Sequence, residues 1–318
     1  MRDQFIKRLS QMAQQDPRIM LITGDLGFGV LDDYRRRFPR QFINAGVAEQ
    51  NMTGLATGLA LEGHIVFTYS IANFVFMRCL EQIRNDAAYH NCNVNVVCIG
   101  GGFSYGALGI SHHATEDLAI MRALPDLTVV CPCDHWETTE ATEAVTQLPG
   151  VSYLRLDKSS ADNTQRDGEQ FQLGKIRTLR EGEDITLMAC GGIVEDVLQA
   201  ADDLAHDGIR CRVLGVHTLK PLDSATLQQA ARQTGGIVTV EEHTIHGGLG
   251  GAVAETLLES GTVPQAFRRI GLRDGFSSLV GSQKFLRQHY QMDRTAVVAA
   301  VYELLSGQEV VAPRRRSA

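Results

Sequence analysis

The stretch NAGVAEQNMTGLATGLALEG, residues 44–63, decides how the chain is read. It sets one carboxylate, Glu49, in a run of small and apolar residues, where an unpaired charge costs several kcal/mol. Such an acid stays neutral, finds a partner, or lies on a segment more exposed than its composition suggests. Gly54, Ala56, Gly58 and Ala60 follow at helical spacing and leave room for close packing on a neighbour, which places the helix start at an interface. An anion at that end gains from the helix dipole, and a carboxyl in low dielectric with a proton to share suits hydrogen bonding to a ring nitrogen. On pattern alone, capping, structural and catalytic roles all stay open.

Outward from this helix, strands and helices alternate. RIMLITG (18–24), HIVFTYS (64–70), NVNVVCIG (93–100) and DLTVVCP (126–132) are short β-branched runs bounded by Gly, Pro or Asp, each followed by a helix-like segment. That is the signature of βαβ units in a parallel sheet. VSYLRLDK (151–158) ends this series, and the polar, breaker-rich SSADNTQRDGEQ (159–170) reads as a linker. A second series follows in DITLMAC (184–190), IRCRVLGVHTL (209–219), GGIVTVEEH (235–243) and FRRIGL (267–272). Val194, Val197, Leu198, Ala201 and Leu204 share one helical face, with Gly208 where a C-cap belongs. The expectation is two doubly wound α/β domains at 1–160 and 176–307, a linker at 161–175 and a flexible tail at 308–318.

Length and charge bound the function. At 318 residues two domains and a substantial core are accommodated, and a net charge of -7 offers no basic face for nucleic acid or an anionic membrane. MRDQFIKRLS lacks the apolar stretch of a secretory signal, and no segment stays apolar long enough to span a bilayer, so the expected location is cytoplasmic. Seven cysteines without a C-x-x-C pair suit neither a disulfide framework nor a zinc cluster, and Cys131 and Cys133 read as strand-end packing residues. GDLGFG (24–29) has the wrong glycine order for a dinucleotide fingerprint, and GGLGG (247–251) lacks the Lys-Ser/Thr of a phosphate loop.

Gly46-Val47-Ala48-Glu49-Gln50-Asn51 resembles the G-[IV]-A-E-Q-N motif of the thiamine diphosphate enzymes of the transketolase family. SIANFVFMRCLEQIRNDAAY (70–89) and GISHHATEDLAIMRALPDLTVVCPCD (109–134) are similar to the family's ring-stacking and substrate-histidine segments. LKPLD (219–223) and GGIVTVEEHTIHGGLGGAVAE (235–255) resemble its C-terminal domain. The resemblance, in order over nearly the whole chain, implies a pyrimidine-binding fold followed by the transketolase C-terminal Rossmann-like fold.

The resemblance further implies Glu49 as the catalytic carboxyl on the cofactor's ring nitrogen and Phe74 as the aromatic that stacks on that ring, with Asp25 a further cofactor-binding candidate. His112 is the catalytic and substrate-facing histidine, and Lys158 and Arg2 align with substrate-binding arginines. His113 has no assigned role, and His243 and His246 read as loop and packing residues. The cofactors implied are thiamine diphosphate and Mg2+, yet GDL at 24–26 is not the family's G-D-G motif followed by Asn. The resemblance therefore implies a partner: an N-terminal transketolase subunit that holds metal and diphosphate, in an α2β2 complex acting on ketose and aldose sugars. This chain itself contributes no metal ligand. Gly100 and Leu108-Gly109 stand where sugar-phosphate enzymes have His and Asp-Gly, and Lys158 replaces an arginine without its bidentate fork, which puts sugar-phosphate specificity in question. Two alternatives stay open: the β subunit of a 2-oxo acid dehydrogenase decarboxylase component, and a non-catalytic regulatory subunit.

Overall fold

The structure, a computed structural model, describes residues 1–307. Twelve strands are present among them: β1 Ile19–Thr23, β2 Phe42–Asn44, β3 Ile65–Ile71, β4 Val94–Ile99, β5 Leu127–Val130, β6 Val151–Leu156, β7 Arg177–Arg180, β8 Ile185–Ala189, β9 Cys211–Gly215, β10 Thr218–Lys220, β11 Ile237–Thr244 and β12 Phe267–Leu272. They form a seven-stranded sheet in the order β10-β5-β6-β4-β3-β1-β2 and a five-stranded sheet in the order β12-β11-β8-β9-β7. Every pairing is parallel except β10 with β5 and β7 with β9. The chain is thus α/β with two doubly wound sheets, as the alternation of β-branched runs predicts. β4 and β8 are buried along their whole length, because helices cover both faces of each sheet.

The helix Val194–His206 turns Val194, Val197, Ala200, Ala201 and Leu204 into the second core. It ends where Gly208 adopts φ +80°, a left-handed position that costs glycine little. The segment between β6 and β7 carries no helix or strand. The tail at 308–318, with Arg314 to Arg316, lies outside the described residues.

The run 209–219 is not one strand. β9 ends at Gly215, and after two residues β10 joins the other sheet, where Thr218 pairs with Val130 and Lys220 with Val129. Periodicity could not show this, since Val216, His217, Thr218 and Leu219 are all buried and no exposed polar residue separates the two strands. β2 and β7 are short strands at sheet edges that the sequence pattern does not reveal.

Between the sheets lies a buried ionic network. Arg155, 1 % exposed, has its Nε 3.2 Å from Asp117 and 3.6 Å from Asp157, and donates from Nη2 to the Glu242 carbonyl at 2.9 Å. Tyr153 donates its hydroxyl proton to Asp117 at 2.8 Å. Glu242 in turn pairs with Arg287 and accepts the backbone N–H of Phe103. This fixes the loop after β4 against the second sheet, and that loop carries part of the site described next.

Candidate active site

β6, β4, β3 and β1 are neighbours in one parallel sheet, and the segments leaving their C-terminal ends converge, as ligand-binding segments do in open α/β sheets. Glu49 begins the helix Glu49–Leu61 that follows β2. Only 5 % of it is exposed, and its partner is Arg78, whose Nη1 donates to Oε1 at 3.0 Å. The same guanidinium lies over the Phe74 ring, 4.1 Å from its centroid. Glu49 and Phe74 are thus two walls of one slot, spanned by a flat cation that carries N–H groups. Gly24, at the end of β1, makes room for the acid: a Cβ there would stand 3.4 Å from the Glu49 Cγ.

His112 packs edge-on against Phe74, ring centroids 5.2 Å apart, with its Nδ1 2.9 Å from the Ser111 hydroxyl. Burial, then its neighbours His113 and Arg78, lower its pKa below the usual histidine value. Asn73 holds the loop on both sides of it, donating from Nδ2 to the carbonyls of Ser111 at 3.1 Å and His113 at 2.9 Å. Beyond His112 stands Tyr105, ring centroids 6.1 Å apart, and Lys158 Nζ sits 3.7 Å from the Tyr105 centroid. Burial and then Arg2 lower the Lys158 pKa.

The sequence-predicted residues therefore fall in two groups. Glu49, Phe74, His112 and Lys158 form one continuous series through Arg78 and Tyr105. Arg2 lies within electrostatic reach of Lys158 and Tyr105, with its side chain bonded to Asp3 at 2.9 Å. Asp25 stands apart from the series: its φ is +57°, and it accepts from Asn44 Nδ2 at 2.9 Å while its own N–H donates to Asn44 Oδ1 at 3.0 Å. Asn73, Arg78 and Tyr105 were missed by sequence reasoning. Arg78 does lie four residues after Phe74, one helical turn on, and that spacing was the signal that could have found it.

His113 is buried, 3.1 Å from the Gly106 carbonyl, and braces the loop. His243 is a strand residue of β11 packed 3.9 Å from Asp117 and 3.6 Å from Glu241, whereas exposed His246 lies in the turn that follows. Cys131 and Cys133 are buried at the end of β5, and all seven cysteines are free. Among the described residues no group of three or more His, Cys, Asp or Glu is arranged to hold a metal ion, and no helix is long and apolar enough to cross a membrane.

The side of the Glu49–Leu61 helix that carries Gly54 and Gly58 is open. A Cβ at either position would meet nothing within 4 Å, while Ala56 on the opposite side is fully buried. The close packing expected of both glycines therefore finds no partner within this chain. Val47, Leu55, Leu61 and Met77 are exposed around it.

Residues 1–163 match the family described as transketolase, pyrimidine binding domain, and residues 174–297 match transketolase, C-terminal domain. A subunit of the apulose-4-phosphate transketolase of Phocaeicola vulgatus is 37 % identical over 306 residues, which cover 96 % of this chain and 97 % of that protein. The 6-deoxy-6-sulfo-D-fructose transketolase subunit SqwH of a Clostridium species is 37 % identical over 305 residues, covering 96 % and 94 %. Among solved structures, a chain described as a split gene transketolase, inactive beta4 tetramer, superposes with a TM-score of 0.85 at 35 % identity, covering 96 % of this chain and 97 % of that one. With both domains matched in order and the relatives aligned end to end, the chain belongs to the transketolase family and corresponds to the C-terminal subunit of its split members.

Proposed function

We propose that this chain is the catalytic half of a thiamine diphosphate-dependent transketolase that moves a two-carbon ketol unit from a ketose to an aldehyde acceptor. One observation carries the reading: Glu49 and Phe74 share a single planar cation, Arg78, in the arrangement an aminopyrimidine ring with a protonated nitrogen would require. The residues present fit that end of the cofactor, which when bound supplies the carbon nucleophile that accepts the two-carbon unit. Glu49 holds a proton at the ring nitrogen from a site screened from water. Phe74 fixes the ring plane, worth about 1 kcal/mol beyond burial. His112, kept neutral by its surroundings, exchanges protons with substrate hydroxyls. Lys158 and Arg2 meet the far end of the sugar, and Asp25 braces the backbone beside Glu49.

The diphosphate and Mg2+ are assigned to a partner chain, because the sequence carries no G-D-G motif with a following Asn. The open glycine face of the Glu49–Leu61 helix is where that partner packs, in a cytoplasmic α2β2 assembly with the domain division at 161–175. The inactive homotetramer described for the structural relative supports a need for that partner.

The test is turnover by the chain co-purified with its diphosphate-binding partner. Two-carbon transfer from a ketose, abolished by Glu49→Gln with assembly intact, is expected. Pyruvate decarboxylation in its place, or full activity of Glu49→Gln, contradicts the reading.

A further inference from the structure

β4 is followed at once by Gly100, with φ +87°, and a Cβ at that position would lie 2.2 Å from Cε2 and 2.4 Å from Cδ2 of Tyr105. Contacts that short do not occur, so a side chain at position 100 and the Tyr105 ring in its present seat exclude one another. The ring is half-buried against the core of the first sheet, and its neighbours are Lys158 Nζ, 3.7 Å from the centroid, and His112, 6.1 Å away. Gln283 of the second sheet's domain backs the same loop, its Nε2 3.4 Å from the Ser104 hydroxyl and 3.0 Å from both Glu242 oxygens. Ser104 also accepts the Lys158 backbone N–H at 3.2 Å. Loop and lysine are thus tied together from both sides.

The Lys158 ammonium forms no ion pair among the described residues. The charge that acts on it is another cation, Arg2, and the carboxylate paired with Arg2, Asp3, is exposed. A cation resting on an aromatic face is held in place with its charge uncompensated, which leaves it ready to meet an anion.

We propose that Tyr105 is a specificity-determining residue: seated against Gly100, it holds the Lys158 ammonium at a set distance from His112 and selects substrates whose end remote from the reacting carbonyl carries a phosphate or sulfonate. The inference rests on the transketolase reading and adds to it a positioning residue, Tyr105, with the glycine that seats it. Tyr105 acts by placing Lys158, so what it changes is discrimination between charged and neutral substrates, not the two-carbon chemistry.

The experiment uses the reconstituted complex and three acceptors of equal carbon chain: D-glyceraldehyde 3-phosphate, 3-sulfolactaldehyde and neutral D-glyceraldehyde. The quantity read is the KM of each anionic acceptor divided by that of the neutral one. Tyr105→Leu is expected to raise the ratio about tenfold, the equivalent of about 1.4 kcal/mol. Tyr105→Phe, which keeps the ring, stays within about twofold of the parent, since the cation–π contact is retained. Gly100→Ala, which unseats the ring while leaving Tyr105 in the sequence, raises the ratio in the same direction. The two anionic arms separate phosphate from sulfonate selection. Equal ratios in parent, Tyr105→Leu and Gly100→Ala overturn the inference alone. Absence of two-carbon transfer to any acceptor by the parent complex overturns the proposed function and the inference with it.

Discussion

Arg78 donates to Glu49 at 3.0 Å from a position directly over the Phe74 ring. The guanidinium is half exposed, so the pair contributes little to folding after solvent screening. Its consequence is competition, since a ring that stacks on Phe74 and bonds Glu49 must displace it. Arg78→Ala is expected to lower the thiamine diphosphate concentration needed for half-saturation of the complex, by up to about fivefold, in line with an exposed ion pair. A tenfold rise would show that Arg78 helps to bind the cofactor instead.

Asn73 spans the carbonyls on either side of His112, so Asn73→Ala frees the loop without removing the imidazole. Misplacement of a reacting group costs roughly 10- to 100-fold in rate, and kcat should fall within that range. The position of the acid limb of the pH profile should stay put, because the Arg78 cation beside His112 is untouched. Wild-type kcat would mean that the His113 contact to Gly106 suffices to hold the loop.

Burial, His113 and Arg78 all disfavour imidazolium at His112, placing its pKa below 6.5. The neutral form therefore predominates at pH 7, and loss of kcat/KM assigned to His112 should occur only on the acid side of pH 6.5. Replacing Arg78 by Ala removes one of the lowering charges, so the acid limb should move to higher pH. An unmoved limb would separate it from His112.

His217, in the link between β9 and β10, is buried with Phe171 4.4 Å from its ring, and burial brings its pKa down to about 3 from 6.5. Between those values the unfolded chain carries a proton that the folded chain does not. Stability contributed by the neutral ring is present above pH 6.5 and is lost as pH falls toward about 3. Each unit in that window removes about 1.4 kcal/mol. Urea midpoints measured across it should fall more steeply for the parent than for His217→Gln, and parallel curves would rule out a neutral buried histidine.

Much of the fold is legible in the amino-acid order. β4 and β8 announce themselves because a strand buried on both faces reads as a nearly continuous apolar run, interrupted here only by Asn95 and Thr186. Glu49 stands out because a carboxylate has no ordinary reason to sit among glycines and alanines, and Phe74 and His112 follow from the motifs around them. The strand exchange at β10 was hidden, since a chain that passes from one buried sheet to the other without reaching the surface leaves no exposed polar punctuation. Arg78 and Tyr105 were hidden for a different reason. Arg78 matters through what it touches across the fold, and the pairing of Tyr105 with Gly100 exists only once the loop has folded back on β4.

The central claim is that this chain holds the ring end of the cofactor and a second protein holds the rest. Titration calorimetry of thiamine diphosphate with Mg2+ into the isolated chain, and into the chain assembled with its partner, tests it most directly. No measurable binding to the isolated chain and saturable binding to the assembly, weakened by Glu49→Gln, is the predicted result. Equally tight, Mg2+-dependent binding by the isolated chain would contradict it.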